Sequence, residues 1–209
     1  MVDEARASAK PKRLTAKGAA TRERIVRSAA ELMHEQGVES TSLDDVIAVS
    51  GTGRSQLYHY FADKSEIVDA VVEFQIGQVL GAQEHLLRNA TSMSGLDRWR
   101  DAIVTATRSR KGSHGCPIGS LSSALSDSSE TARLAIARGF DRWEGELHAG
   151  LRHMRQTGEL AQEADPAALA TGLLAALQGG YLLAQARRDA SSMQIALDTA
   201  LDHIRSFTR

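Results

Sequence analysis

The residues best suited to chemistry lie in one short stretch, Gly53–Phe61, whose sequence is Gly-Arg-Ser-Gln-Leu-Tyr-His-Tyr-Phe. Leu57 and Phe61 are four residues apart, so in a helix they share one face and point inward. The polar and charged side chains of the stretch are then exposed: Arg54, Ser55, Gln56, Tyr58 and His59. Such donors and acceptors suit phosphates and base edges in the DNA major groove. A short amphipathic helix with a merely solvated face has the same spacing, so spacing alone leaves both interpretations open.

Two predicted helices must position that stretch. The first begins at Thr21 and ends at Gly37, and its apolar residues recur at helical spacing: Ile25, Ala29, Leu32 and Met33. Ser42 and Asp45 form a Ser-x-x-Asp capping box, which predicts the start of a second, short helix. That helix ends at Gly51, a residue that adopts positive φ without strain. Three short helices with a tight turn between the last two have the layout of a helix-turn-helix.

The rest of the chain is also predicted to be helical. Asp63 and Glu66 form another capping box, ahead of a long fourth helix that ends near Arg88. Asp165 and Pro166 are an N-cap followed by proline at the first helical position. Further helices are predicted over about 94–108, 118–125, 129–156, 166–188 and 193–204. We therefore predict an all-α fold with about nine helices.

Length and composition limit the class of protein. The chain has 209 residues, of which 42% are hydrophobic and 24% charged, as expected for one globular domain or two small ones. Cys116 is the one cysteine, which excludes a disulfide and a cysteine-based metal site within one chain. We expect no metal and no cofactor. The sequence shows no run of 18 apolar residues and no secretory signal, which predicts a cytoplasmic protein with no membrane partner.

The N-terminus concentrates positive charge although the net charge is only −1. Residues 5–20 contain no acidic side chain and five basic ones: Arg6, Lys10, Lys12, Arg13 and Lys17. We interpret residues 1–16 as a flexible basic arm that neutralises phosphates, with salt-dependent affinity as the consequence. A terminus that only keeps the protein in solution has the same composition, so this alternative stays open.

Several dispersed segments together carry a family resemblance. They are Thr21-Arg-Glu-Arg-Ile25, Gly37, Thr41-Ser-Leu-Asp-Asp-Val-Ile47, and Leu57-Tyr-His-Tyr-Phe61 with Lys64. In residue type, order and spacing they resemble the N-terminal domain of the TetR family of transcriptional repressors, over about residues 17–70. The resemblance implies a helix-turn-helix DNA-binding domain at 17–63 and a larger helical ligand-binding and dimerisation domain at 64–209. It also implies a homodimer that binds a palindromic operator.

The resemblance assigns roles to individual residues. It implies phosphate or backbone contacts for Thr41, Ser42, Tyr58, Tyr60 and Lys64, while the residues entering the groove are Arg54, Ser55, Gln56 and His59. Lys17 and Arg22 add basic side chains at the start of the same domain.

The chain departs from the family pattern at residues 52–56. The family more often has Val-Ser-Lys-Gly-Thr where this chain has Thr-Gly-Arg-Ser-Gln. Gly53 thus replaces a hydroxyl N-cap, which costs a few tenths of a kcal/mol and one phosphate contact. Gln56 in place of threonine can hydrogen-bond an adenine edge.

The C-terminal part resembles one branch of the family locally. Gly115–Leu121, Leu125–Asp127 and Gly139–Trp143 look like the branch that includes regulators of lincomycin resistance and of flavonoid response. The resemblance implies that a small-molecule effector enters a pocket between the middle helices and releases the DNA. We expect an apolar or aromatic effector, and the candidate lining residues are Trp99, Ile103, Cys116, Phe140, Trp143, Gln178 and Tyr181. Each of them, taken singly, also fits a plain core.

Three other functions stay open. Cys116 is either a buried structural thiol or a redox sensor, and an adaptor with a vestigial helix-turn-helix has the same helices. An all-α enzyme is disfavoured because the chain has no Gly-x-Ser-x-Gly and no His-Glu-x-x-His pattern. The last two helices are rich in alanine and glycine between residues 168 and 180, which permits close packing against a partner chain. A two-fold symmetric dimer suits a palindromic site.

Overall fold

The computed structural model describes residues 14–208, and within them the chain forms nine α-helices. In chain order they are α1 (Ala16–Gln36), α2 (Leu43–Ser50), α3 (Arg54–Tyr60), α4 (Lys64–Arg88), α5 (Met93–Ser109), α6 (Pro117–Leu125), α7 (Glu130–Gln156), α8 (Pro166–Arg187) and α9 (Ser191–Arg205). Over this range the β structure is one isolated bridge between Leu160 and Thr208. The all-α prediction is confirmed. Arg6, Lys10, Lys12 and Arg13 of the predicted basic arm lie outside the described residues.

Local capping fixes most helix starts where the sequence predicts them. At α2 both halves of the capping box are present, with the Ser42 hydroxyl accepting from the Asp45 amide at 3.1 Å. Asp165 accepts from the first free amides of α8, which begins at Pro166. At α4 the Asp63 carboxylate accepts from the Glu66 amide, but the Glu66 carboxylate accepts from the Ala62 amide rather than from the Asp63 amide. The reciprocal bond at α4 therefore reaches one residue further back than the predicted capping box.

The start of α1 is predicted wrongly. The helix begins at Ala16 rather than Thr21, and its N-cap is Thr15, whose hydroxyl accepts from the Gly18 amide at 3.2 Å. Thr21 lies inside the helix, where its hydroxyl donates to the Lys17 carbonyl. Residues 16–20 show no apolar periodicity, but three of them are alanine, which has the highest helix propensity. Propensity extends the helix beyond the amphipathic stretch.

The long α4 connects the two parts of the chain. Near its start it packs against α1, and further along it packs against α5, α6 and α7. α7 lies against both α4 and α8, α8 pairs with α9, and α9 packs back on α5. The three-helix unit α1–α3 is thereby attached to the remaining helices through one continuous element.

One core runs through both parts. In the N-terminal unit, Leu57 and Phe61 are buried, as predicted, and they lie in one core with Ile25 and Val46, while Ile47 is only partly buried. In the larger unit, the two tryptophans are fully buried and are the largest side chains of the core.

Packing within the chain explains part of the apolar character of α8. By length and composition the helix is apolar enough to cross a membrane, although polar residues such as Thr171 and Gln178 interrupt its apolar sequence. The helix packs against α7 and α9, and Leu169, Leu173 and Leu177 are buried there. A core helix of this kind passes the same composition test as a membrane span.

Gly150 and Gly95 mark the closest backbone approaches in the larger unit. A Cβ at Gly150 of α7 would lie 2.1 Å from the carbonyl oxygen of Ala90, in the turn between α4 and α5. Gly95 at the start of α5 faces the same turn, with a Cβ position 2.0 Å from the Asn89 carbonyl oxygen. The turn is therefore held between two helices that tolerate no side chain.

This contact predicts opposite effects for two glycines of α7. We expect Gly150→Ala to lower the free energy of unfolding by about 1–3 kcal/mol, because the turn must move to admit a methyl group. Gly145 has open space around its Cβ position. Gly145→Ala should therefore raise the free energy of unfolding by about 0.5–1 kcal/mol. Urea unfolding followed by circular dichroism measures both, and equal effects would contradict the packing described.

Candidate nucleic-acid interface and ligand cavity

A rigid turn positions α3. Gly51 ends α2 in the left-handed conformation (φ 62°), which allows the chain to reverse within three residues. The hydroxyls of Ser50 and Thr52 lie 2.8 Å apart in a buried hydrogen bond across the turn. Arg24 of α1 donates from Nε to the Ser50 carbonyl at 2.9 Å. The direction of α3 relative to α1 and α2 is therefore set by buried and bridging contacts.

The exposed face of α3 consists of the predicted side chains. Leu57 is fully buried, while the residues around it point to solvent: Arg54, Ser55, Gln56, Tyr58 and His59. Tyr60 is half-buried, and its ring packs edge-on against His59 with centroids 4.9 Å apart. Gly53 is the N-cap of α3 in extended conformation, and it supplies no hydroxyl to the free amides of the helix. α3 thus exposes a short polar edge to solvent, while Leu57 on its opposite face is buried.

Arg54 has a partner that sequence reasoning missed. Its guanidinium lies 2.5 Å from an Asp44 carboxylate oxygen in the first turn of α2, and both side chains are mostly exposed. An exposed ion pair of this kind contributes little to stability, so a phosphate or base edge competes with it readily. Ten residues separate the pair, and only the geometry of the turn brings them together.

The start of α2 differs from the expectation at Thr41. Its side chain is buried, and its hydroxyl donates to the Gly37 carbonyl at 2.9 Å. Thr41 therefore closes the loop after α1 instead of facing solvent, and we leave it out of the proposed phosphate contacts. Ser42 is exposed, and its hydroxyl and amide hold the pKa of Asp45 below its usual value.

The basic residues around α3 fall in different places. Lys17 is exposed on α1, and the Lys64 ammonium lies 3.3 Å from the Glu39 carbonyl oxygen. Arg22 is exposed too, with its guanidinium carbon 4.9 Å above the centre of the Phe61 ring. It borders an open groove between α1 and α4 whose other charged residues are Glu23, Glu66, Asp69 and Glu73. The acidic surroundings make Arg22 a weaker candidate for DNA contact than Lys17 or Lys64.

Two of the cavities between the middle helices of the larger unit adjoin each other, and a third of about 510 Å³ lies apart from them between α4 and α7. Of the adjoining two, one has a volume of about 470 Å³ and is bordered by α4, α5, α7 and α8. The other has a volume of about 560 Å³ and lies between α6, α7 and α8. Cys116 and Tyr181 border both cavities, so they form a common wall. Each volume suits a drug-sized molecule.

Six of the seven predicted ligand residues border these cavities. Ile103 and Trp143 border the first, Phe140 and Gln178 the second, and Cys116 and Tyr181 both. Trp99 borders neither.

Trp99 is fully buried behind the first cavity. Its indole nitrogen donates to the Gln83 side-chain oxygen at 2.9 Å. Trp99 thus braces the wall of the cavity from behind.

Sequence reasoning missed the polar part of the first cavity. Three glutamines of α4 and the arginine that follows α5 border it: Gln75, Gln78, Gln83 and Arg110. The signal was present as polar residues interrupting the apolar spacing of α4. Because α4 also begins next to α3, the helix that borders the cavity is the one that carries the helix-turn-helix.

The side chains of the common wall are neutral. Burial raises the pKa of the Tyr181 phenol to about 12, and burial also raises the pKa of the Cys116 thiol. Cys116 is buried and unpaired with another cysteine. A thiol kept protonated is a poor nucleophile and a slow redox sensor. The observation favours the structural interpretation of Cys116. Among the described residues, no group of His, Cys, Asp and Glu is placed to hold a metal ion.

Comparison with known families matches both parts of the chain. The family described as "Bacterial regulatory proteins, tetR family" matches residues 25–71. The family described as "Tetracyclin repressor-like, C-terminal domain" matches residues 93–200. The first match contains α2 and α3, and the second covers both cavities apart from the part that α4 contributes.

Whole-length relatives agree with these matches. An uncharacterized HTH-type transcriptional regulator of Mycobacterium tuberculosis is 30% identical over 184 residues, which cover 83% of this chain and 89% of that protein. One from Lactococcus lactis subsp. lactis is 29% identical over 85% of this chain and 90% of that protein. The HTH-type transcriptional repressor DhaR of Mycobacterium sp. is 23% identical, over 80% and 84% respectively.

Solved structures share the fold. A TetR-family transcriptional regulator from Cytophaga hutchinsonii superposes with a TM-score of 0.81 at 19% identity, over 94% of this chain and 98% of that one. The narrower branch suggested by residues 115–143 stays a prediction.

The burial of Cys116 predicts low thiol reactivity. We expect the native protein to react with a disulfide reagent at pH 8 at least about tenfold more slowly than the unfolded chain, because the buried thiol stays protonated. Absorbance of the released thiol dye measures both rates, with Cys116→Ser as the blank. Equal rates in the native and unfolded states would instead identify an accessible, sensor-type cysteine.

Proposed function

Because the chain belongs to the TetR family of DNA-binding transcriptional regulators, we propose that it is a repressor that binds a palindromic operator as a homodimer and is released by a small molecule. The observation that carries the proposal is that α4, which follows the exposed polar α3 in the chain, also borders a ligand-sized cavity. DhaR, one of its relatives, is a transcriptional repressor by name.

The proposed DNA contacts divide into two kinds. Arg54, Ser55, Gln56 and His59 enter the major groove from the exposed edge of α3, where Gln56 bonds an adenine edge. Phosphate contacts come from the residues around it: Lys17, Ser42, Tyr58, Tyr60 and Lys64. The Gly53 amide, at a helix N-terminus without a hydroxyl cap, also faces this side. Contacts of the first kind determine sequence preference and contacts of the second kind determine overall affinity.

The dimer is proposed through α8 and α9. Leu182, Leu183 and Ile195 are exposed on these helices, and Leu182 and Ile195 are about two-thirds exposed in the single chain. Gly172 and Gly179 on α8 have open space around their Cβ positions, which permits a partner helix to approach closely. A four-helix interface with two helices from each chain buries these side chains. The two α3 helices would then lie about 34 Å apart, one turn of DNA.

The ligand response is proposed to act through α4. A molecule bound against Gln75, Gln78 and Val79 contacts the same helix whose N-terminus follows α3. Ligand binding favours a conformation in which the tilt of α4 changes the separation of the two α3 helices. The extent of release is limited by the difference in ligand affinity between the two conformations. This function requires neither cofactor nor metal, and it belongs in the cytoplasm.

DNA binding to the upstream region of the protein's own gene tests the proposal. We expect fluorescence anisotropy to show tight binding to that fragment, weak binding to a scrambled one, and a steep loss of affinity with salt. Equal and weak binding to both fragments, before and after refolding to remove a carried ligand, would contradict a repressor of its own gene.

Two variants distinguish the proposed base contacts from the proposed phosphate contacts in the same assay. Gln56→Ala should reduce discrimination between the operator and a base-substituted operator by about 1–3 kcal/mol. Lys64→Ala should weaken binding to both fragments about equally and reduce the salt slope by about one. Arg138→Ala, the same change of charge on an exposed residue of α7, is the matched control. If Gln56→Ala weakens all DNA equally, Gln56 does not contact a base.

The interface predicts a monomeric variant. We expect Ile195→Glu to raise the dimer dissociation constant about a hundredfold or more, because an unpaired charge would be buried at the interface. Leu134→Glu, on an exposed residue of α7, is the control and should leave the dimer intact. Size-exclusion chromatography with light scattering at micromolar concentration measures both masses. A wild-type monomer under those conditions would contradict the proposed dimer.

A further inference from the structure

The two buried tryptophans differ in one respect that bears on the ligand. Both are fully buried, and the indole N–H of Trp99 donates to Gln83. The indole N–H of Trp143 has no hydrogen-bond partner among residues 14–208, although Trp143 borders the first cavity. A buried donor left without an acceptor costs about 1–3 kcal/mol. An acceptor on a bound molecule recovers that free energy.

A second donor lies across the common wall. The side-chain nitrogen of Gln178 is buried and makes no hydrogen bond of normal geometry within the described residues, although the Gln178 side chain lies close enough to the Cys116 thiol to act on its pKa. Gln178 is held beside Gly119, where a Cβ would lie 3.0 Å from its amide oxygen. The two side chains concerned, the Trp143 indole and the Gln178 amide, each present an N–H donor. Such donors complement hydrogen-bond acceptors on a ligand.

The charges around the cavities have one sign. Arg110 is the charged residue bordering the first cavity among those described, and no Asp or Glu of residues 14–208 borders either cavity. The Arg110 guanidinium is close enough to Tyr181 and Cys116 to act on both groups electrostatically. A cationic ligand would be repelled by the Arg110 guanidinium and, in the described part of the chain, no carboxylate borders the cavity to offset that repulsion. An anion would gain a charge-assisted hydrogen bond.

We propose that the first cavity binds an aromatic acid, whose aromatic body packs on Tyr181 and on the apolar side chains of α4 and α5 and whose anionic oxygen group accepts from Arg110 and from the Trp143 N–H. Gln75 and Gln78 of α4 provide further hydrogen bonds, whereas the side chain of Gln83 is already paired with Trp99 and Val79. Gln178 meets a second acceptor on a ligand long enough to pass the common wall. This inference rests on the proposed ligand response and narrows its effector from apolar or aromatic molecules to aromatic anions, with aromatic cations excluded.

A matched pair of fluorescent probes isolates the anionic group. 1-Anilinonaphthalene-8-sulfonate and N-phenyl-1-naphthylamine share one aromatic skeleton and differ by the sulfonate. We expect Arg110→Gln to weaken the sulfonate probe about tenfold and Trp143→Phe about fivefold, with changes below about twofold for the uncharged probe. Arg108→Gln is the matched control, because Arg108 is exposed, donates to Gln194 and borders neither cavity.

The site of binding is verified independently. In Trp99→Phe the one remaining tryptophan is Trp143, so quenching of its emission by the sulfonate probe shows that the probe binds within energy-transfer distance of Trp143. Loss of this quenching when Arg110→Gln is added to Trp99→Phe assigns the probe to the first cavity, which Arg110 borders and the second cavity does not share. Circular dichroism melts confirm that each variant is folded. The proposal is overturned if the sulfonate probe does not bind, if the quenching is unchanged by Arg110→Gln, or if both probes lose affinity equally in Arg110→Gln.

The probe titration is done without DNA, so it separates the two proposals. Variant-dependent binding of the sulfonate probe together with equal binding to operator and scrambled DNA supports the aromatic-acid site and contradicts the repressor function. Specific DNA binding together with probe affinities that do not depend on Arg110 or Trp143 supports the repressor function and overturns the aromatic-acid site.

Discussion

The structure depends on one constraint, which is that α4 remains a single uninterrupted helix from Lys64 to Arg88. Its first turn is fixed by Asp63 and Glu66, immediately after the helix that faces DNA in the proposed function. Its last turn leads into the turn at Asn89 and Ala90, which two glycines of neighbouring helices hold in place. Since both ends are fixed by short contacts, a change of tilt at one end must appear at the other.

The sequence predicts the parts of this arrangement that local chemistry determines. The α2 capping box, the left-handed Gly51 and the apolar spacing of α3 are set by residues within four positions of one another, and each lies where the sequence predicts it. The start of α1 was predicted wrongly because alanine propensity extends a helix without any periodic signal. Local rules thus identify helices well and their ends less well.

The sequence predicts which residue types form the candidate sites, but it does not predict how those residues are arranged in space. Large apolar and polar side chains of the middle helices indicated a pocket, and six of seven border one. The inward rotation of Thr41, the ion pair of Arg54 with Asp44 and the position of Trp99 behind Gln83 depend on how helices cross. No spacing rule contains that information, because the crossing follows from the packing of the whole core.

The loop between α5 and α6 connects the cavities to the DNA-binding unit. Lys111 and His114 both have positive φ, which is strained for residues other than glycine. The loop is held there because Gly112 meets the Ala184 carbonyl of α8 with no room for a Cβ. From this position the His114 ring lies 5.6 Å from the ring of His34 on α1. One short loop therefore contacts the cavity wall, the proposed dimer helix and the DNA-binding unit.

The contribution of His34 to stability depends on pH. Burial lowers the pKa of His34, and His114 and Arg110 lower it further, while Glu35 opposes them. A histidine whose pKa is lower in the folded protein is bound there in its neutral form, so its contribution to stability is present above the unfolded pKa near 6.5 and is lost as the pH falls. At neutral pH the His34–His114 contact is therefore intact. Arg110 both lowers the pKa of His34 and borders the first cavity, so one guanidinium charge acts on the junction between the two parts of the chain and on the cavity.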